Sequence, residues 1–359
     1  MSDTDRHLQA SCSRRLSGHR PATAADALNT LAEHPAAAKE VDVYGGGGAA
    51  AELERRTAEL LGKPAAMFFI KGMIAQMCVL RAAADRARTP NVVIHPMSHI
   101  DLDEQDAAWR LHDVRPIRLG KYAPFTLAQL QAVTEPIAAV VVELPLRRSG
   151  YLLPPLDELR AISAWARKAG VHLHFDGARL WEAAAGYGIG LDELAALADS
   201  VYVSFYKGLG GLGGAAVAGE AAFIDSLAVW KTRHGGNLYR VFPYAISALA
   251  GIDAHLPRMP AYVDRASALA EALASEPRLI VTPHRPDVNA FHLLLPGSVE
   301  ELTRRNRAFA RQHGIWLFNG FLESSVTGRS VGEVVIGDAS DDYDTAEAAG
   351  WIRDFLDLA

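Results

Sequence analysis

Only two cysteines, Cys12 and Cys78, occur in 359 residues, and neither belongs to a CxxC pair. That excludes a disulfide framework and a thiolate metal site, since both need several thiols at defined spacings. Cys78 lies within "AQMCVL" and is expected to be a small core residue. Basic charge is also scarce. With 36 lysines and arginines against 42 acidic residues, the formal net charge is −6, so a phosphate backbone is not an expected partner and nucleic acid is set aside. No uncharged apolar run approaches a membrane span, and the opening "MSDTDRHLQASCSRR" is acidic where a signal peptide is basic and then apolar. The expectation is a cytoplasmic protein with no membrane partner. Internal repeats and low-complexity tracts are missing as well.

What is present is ordinary for a globular chain: half the residues are hydrophobic and 22% are charged. The length exceeds the roughly 250 to 300 residues at which a single core stops growing, so two domains are expected. Residues 1–20 read as an arm of mixed charge, 21–245 as a large domain and 246–359 as a smaller C-terminal α/β domain. Within the large domain, the helical patterns "AAAELERRTAELLG" and "GMIAQMCVLRAAADRA" precede short β-branched runs, "NVVIH", "VRPIRL" and "IAAVVVELP". The amphipathic "LDELRAISAWARKAG" leads into "VHLHFDG", and "DSVYVSF" and "GAAVAG" follow as strands. Apolar strands alternating with helices indicate a mainly parallel sheet covered on both faces, which places ligands at the carboxyl ends of its strands. Residues 221–277 are expected to be mostly helical, with Pro243, Pro257 and Pro260 breaking or bending them. Ser298 and Glu301 form a capping-box pattern at the head of a later helix.

Several motifs admit two readings. Gly208, Gly210 and Gly213 match G-x-G-x-x-G after a strand, yet "AAVAG" reads as a strand where a dinucleotide site needs a helix, so a tight loop is preferred. His172, His174 and Asp176 alternate along one strand and share a face. They are either three ligands of a metal-dependent hydrolase or two histidines satisfied by neighbours beside a functional Asp176; no further His/Asp cluster completes a metal site. Ser204 and Lys207 form S-x-x-K without the companion motifs of serine enzymes. Lys207 itself follows a buried strand and precedes a glycine loop, where desolvation lowers an amine's pKa and makes it nucleophilic toward carbonyls.

Asp176-Gly177-Ala178-Arg179, followed by Lys207 of "SFYKGLGG" 31 residues after Asp176, resembles the threonine aldolase and β-eliminating lyase family, pyridoxal-phosphate enzymes of fold type I. "DVYGGGGAAAELERRTAELLGKPAAMFFIKGMIAQ" is similar to the family's glycine turn, helix and phosphate loop, and "HPMSHIDLDEQDAAW" to its histidine segment. The resemblance covers residues 20–245 well and the remainder loosely. It implies that Lys207 holds the cofactor covalently, that Asp176 binds the pyridine nitrogen and that His99 lies over the ring. Arg179 would meet the cofactor or a substrate carboxylate, and Ser204 with Lys71, Gly72 and Met73 would surround the phosphate. Arg147, Arg240 and Tyr44 are further candidates for the substrate side. A local salt bridge is the plainer reading of Asp176 with Arg179.

Three positions depart from the family pattern: Lys71-Gly72-Met73 stands where it has Ser-Gly-Thr, Leu146 where it has a second histidine, and Glu333 where it has a carboxylate-gripping arginine. The function the resemblance implies is cleavage of a β-hydroxy-α-amino acid of the threonine or phenylserine type to glycine and an aldehyde. β-Elimination or racemisation with the same cofactor, the metal-dependent hydrolase and a non-catalytic member of the fold remain as alternatives. A homodimer or homotetramer is implied too, with Tyr44 to Gly48 as a wall shared between subunits.

Overall fold

The structure, a computed structural model, describes residues 3–358. It divides into two compact units: Ala24–Pro257, and the chain up to Thr23 together with the chain from Arg258 onward.

The first unit is built on a seven-stranded sheet of β1 (Ala65–Phe69), β2 (Asn91–Ile94), β3 (Arg115–Arg118), β4 (Ala139–Glu143), β5 (His172–Gly177), β6 (Ser200–Ser204) and β7 (Ala215–Gly219). Their order across the sheet is β1-β7-β6-β5-β4-β2-β3. All neighbours are parallel except β7, which runs antiparallel to both β6 and β1. Every residue of β4 through β7 is buried, as strands covered on both faces must be. The expected mainly parallel sheet is therefore present. The edge strand β1 had read only as part of a phosphate loop, because "AAMFF" is bounded by no turn pair and alternates weakly.

Helices α1 (Gly48–Leu60), α2 (Gly72–Ala87), α3 (Leu156–Ala169), α4 (Leu180–Tyr187), α5 (Ala221–Arg233) and α6 (Phe242–His255) cover the sheet. Cys78 of α2 is fully buried with Phe69, Tyr202 and Val217. Burial raises its thiol to about 12, consistent with a core role. Pro243 sits in the first turn of α6 rather than breaking it, because proline's missing N–H is not needed there.

In the second unit, β8 (Ile280–Thr282), β9 (Ala290–Pro296), β10 (Phe321–Glu323) and β11 (Arg329–Val335) form an antiparallel sheet of order β10-β11-β9-β8. Helices α7 (Met259–Leu273), α8 (Val299–His313) and α9 (Thr345–Asp357) accompany it. Pro260 lies in the first turn of α7. The Ser298–Glu301 capping box at α8 is formed in both directions, and Asp344 with Glu347 makes a second one at α9. Residues expected as an arm are structured: a helix, Asp3–Ser11, packs on α8, and Arg14–Arg15 pairs in parallel with Ile315–Trp316. Arg307 of α8 holds Asp5 through Nε at 2.6 Å. Among the described residues, no helix is long and apolar enough to cross a membrane.

Candidate active site

The carboxyl ends of the parallel strands carry the charged groups. Register pairs Glu143 of β4 with Asp176 of β5, and Asp176 with Tyr202 of β6. In-register neighbours stand about 4.8 Å apart and point to the same side, so two carboxylates and a phenol form one buried row. Burial raises both acids. Glu143 reaches about 7, with the Asp176 charge adding to the effect, whereas Lys207 and His99 counteract the rise at Asp176.

Lys207 lies three residues beyond β6, half-buried. Burial and then the Arg179 charge lower its amine to about 8, against the pull of Asp176 and Glu143. His99 opens the short helix His99–Leu102, and its Nδ1 lies 2.9 Å from Glu104 Oε1. That carboxylate raises the imidazole pKa despite partial burial. The His99 backbone N–H donates to Glu143 Oε2 at 2.7 Å, and the Arg147 N–H donates to Oε1 at 3.1 Å. Arg179, immediately before α4, places its guanidinium 5.1 Å from the Tyr151 ring centre. Electrostatic influence therefore joins His99, Glu104, Glu143, Arg147, Asp176, Arg179 and Lys207 into one group.

Gly72 is the first residue of α2, whose leading amide groups point outward, and Lys71 is its exposed N-cap. A Cβ on Gly72 would overlap the Tyr202 hydroxyl and come within 2.9 Å of its Cζ, so only glycine fits. Met73 is partly buried against the core. Ser204 ends β6 with its Oγ buried and without a hydrogen-bond partner among the described residues.

The remaining candidates go elsewhere. Arg240 donates to the Asp42 carbonyl and lies 4.2 Å from the Tyr239 ring centre; Tyr44 packs edge-on against the same ring at 5.4 Å. Arg148, beside Arg147, is paired with Asp103, its Nε 3.4 Å from Oδ2. Leu146 is buried and its N–H donates to the Leu152 carbonyl at 2.8 Å. Glu333, in the second unit, faces His292 across β9 and β11 at 3.5 Å. His172 and His174 have all four ring nitrogens within hydrogen-bond distance of Arg86, Ser200 or Gln76, which leaves none for a metal ion and favours the reading of satisfied strand histidines.

Residues 25–295 match the family model described as Beta-eliminating lyase. The chain belongs to the threonine aldolase and β-eliminating lyase family. A Listeria monocytogenes EGD-E protein assigned as an L-allo-threonine aldolase shares 33% identity at a TM-score of 0.91, covering 99% of this chain and 98% of that one. Aldolase vrtJ of Penicillium aethiopicum is 33% identical over 215 residues, which are 56% of this chain and 54% of that protein. The matched region is thus about half the length of the fungal aldolase. The low specificity L-threonine aldolase of Escherichia coli (strain K12) is 27% identical over 65% of this chain and 71% of its own. The fold is fold type I of the pyridoxal-phosphate enzymes.

Sequence reasoning passed over Glu104, Tyr202 and the anchoring role of Glu143. Glu104 stands five residues after His99, a spacing that no helical face favours. The row of Glu143, Asp176 and Tyr202 exists only through strand register.

Proposed function

We propose that this chain is a pyridoxal-phosphate-dependent aldehyde-lyase that cleaves a β-hydroxy-α-amino acid of the threonine or phenylserine type to glycine and an aldehyde. The observation that carries the reading is the pair Lys207 and Asp176: a half-buried amine with lowered pKa within the electrostatic reach of a buried carboxylate whose Oδ1 has no hydrogen-bond partner among the described residues. Such a carboxylate suits a ring N–H donor. The α2 N-terminus at Gly72, the unpartnered Ser204 Oγ and exposed Lys71 suit a phosphate. The residues therefore fit pyridoxal phosphate. When bound, that cofactor supplies an electron sink for the bond to Cα.

The chain's own groups have distinct tasks. Lys207 holds the cofactor through its Nζ and afterwards carries a proton, for which an amine near 8 is well matched to neutral pH. Asp176 keeps a positive charge on the ring nitrogen. His99 would accept the substrate's β-hydroxyl proton at Nε2, because Nδ1–H is held by Glu104. This pair supplies a base although Leu146 occupies the position of a second histidine. Arg179 and Arg147 bind the substrate carboxylate or the cofactor as charged donors. The chain works as a homodimer or homotetramer in the cytoplasm. The exposed Val41, Val43, Tyr44 and Tyr239 suit a subunit contact, and sedimentation as a monomer would refute it.

The test is to mix purified protein with pyridoxal phosphate and follow visible absorbance, then aldehyde release from L-threonine, L-allo-threonine and phenylserine. Wild type is expected to gain a band that borohydride fixes to Lys207 and to release aldehyde with glycine; Lys207→Ala is expected to do neither. A keto acid with ammonia in place of aldehyde would reassign the reaction to elimination.

A further inference from the structure

Four hydrogen bonds join Arg86, His172, Ser200, His174 and Gln76 into one line within the first unit. Arg86 Nη2 lies 2.8 Å from His172 Nδ1, and His172 Nε2 lies 2.7 Å from Ser200 Oγ. Ser200 Oγ is 2.8 Å from His174 Nδ1, and His174 Nε2 is 3.0 Å from Gln76 Oε1. Arg86 is exposed at the outer end; the other four are buried. Burial lowers both imidazoles to about 3, so each is neutral and carries one ring hydrogen at pH 7.

The direction of the line follows from its outer end. A guanidinium only donates, so His172 Nδ1 accepts and its hydrogen sits on Nε2, which donates to Ser200 Oγ. The serine gives its single hydrogen to His174 Nδ1, and His174 Nε2–H donates to the Gln76 carbonyl. Every bond then points inward. The alternative puts a hydrogen on His174 Nδ1, facing a Ser200 whose backbone raises this imidazole as an accepting carbonyl does; Ser200 Oγ then accepts from both rings, which leaves the serine hydrogen to find an acceptor elsewhere and turns the Gln76 amide round. In the inward arrangement the Gln76 amide nitrogen is buried with no hydrogen-bond partner. Asp176 stands two residues beyond His174 on the same face, about 7 Å along the strand, and its Oδ1 is equally buried and unpartnered.

We propose that Arg86 is a positioning residue that sets the polarity of this buried chain, so that Gln76 offers a donor rather than a carbonyl oxygen on the face of β5 that carries Asp176. Without a charged donor at the outer end, the neutral chain is free to run the other way. His172 then keeps its hydrogen on Nδ1 and accepts from Ser200, Ser200 accepts from His174 Nδ1–H, and Gln76 donates to His174 Nε2. That reversal turns an oxygen toward the side of β5 that carries Asp176; Gln76 Nε2 and Asp176 Oδ1 share no hydrogen bond among the described residues, so the effect on Asp176 is one of local potential rather than contact. The tautomer claim needs no ligand; its consequence for cofactor affinity rests on the function proposed above.

The experiment uses the full-length chain labelled with 15N and long-range imidazole spectra, with the two rings assigned by loss of signal in His172→Gln and His174→Gln. Wild type is expected to show the hydrogen on Nε2 of both rings. R86M, at an exposed site, is expected to move it to Nδ1 in a large fraction of molecules, and R86K to preserve the wild-type pattern. Ser200→Ala is expected to free His174 while Arg86 still fixes His172. A hydrogen on His174 Nδ1 in wild type, or identical tautomers in R86M, overturns the proposal. The Kd for pyridoxal phosphate is expected to rise about fivefold in R86M and to stay unchanged in R86K. Equal affinity in wild type and R86M breaks the link to Asp176, whereas no binding by wild type refutes the functional reading and leaves the tautomer result standing.

Discussion

Glu143 sits where two loops converge, one carboxylate oxygen accepting the His99 N–H and the other the Arg147 N–H. It therefore fixes the backbone of both His99 and Arg147, while standing beside Asp176 in the sheet. Glutamine at this position presents one acceptor and one donor to two donors, which leaves a buried N–H opposed. Such a mismatch costs about 1 to 3 kcal/mol. Glu143→Gln is expected to lower kcat/KM by about tenfold or more, mainly through kcat, because in the function proposed above the displaced residues act on the reacting atoms. It is also expected to remove any titration near pH 7 due to Glu143 in cofactor-free protein, where its carboxyl is raised to about 7. Steady-state kinetics with a pH profile checks both; unchanged kcat at an unchanged thermal midpoint would show that neither loop depends on Glu143.

At the level of elements, α2 links the sheet to the phosphate reading, since Gly72 opens the helix against the Tyr202 ring. Gly72→Ala is expected to push these apart and weaken pyridoxal-phosphate binding by about tenfold or more, with a smaller loss of stability; equilibrium dialysis of variant and wild type measures it. The alternation of helices with β-branched runs made β2 through β7 legible, most clearly the buried parallel β2, β4, β5 and β6, because such a strand must be apolar on both faces. Lys207 and Asp176 were legible as charge just past or at the end of such strands. The short edge strand β1 was not, since only Phe68 and Phe69 of its five residues favour a strand and it shows no clean alternation. The Tyr44 and Arg240 side chains meet Asp42 and Tyr239, a long-range encounter that no local spacing announces. The His99 and Glu104 pair was equally hidden, because a separation of five residues aligns side chains only when the helix stops after Leu102.

For the whole molecule, the buried histidine line makes stability depend on pH in a definite direction. His172 and His174 fall from an ordinary 6.5 to about 3 in the folded state, so the unfolded chain binds their protons first. Their contribution is complete above pH 6.5 and is lost as pH falls from there toward 3. By pH 5 each has withdrawn on the order of 2 kcal/mol, and the loss grows on further acidification until the folded state takes up the protons near pH 3. Glu143 acts oppositely. Its folded value is raised from 4.5 to about 7, so its contribution is present below 4.5 and lost as pH rises through 7. Asp176, also raised by burial, acts in the same sense as Glu143, while burial lowers His112 to about 4 and lowers His95 and His234 as well, which adds to the histidine losses. Acidification from 7 to 5 therefore sets histidine losses against partial carboxyl gains, and below about 4.5 the histidines are unopposed by Glu143. Urea titrations of the cofactor-free chain at pH 7, 5 and 4 are expected to show unfolding free energy falling modestly to pH 5 and steeply below it. His174→Gln, which keeps a donor and an acceptor but cannot titrate, is expected to reduce the part of that fall owed to His172 and His174 by about half whatever its effect at pH 7. An unaltered fall between pH 5 and 4 in His174→Gln would mean that this imidazole is not held neutral in the fold.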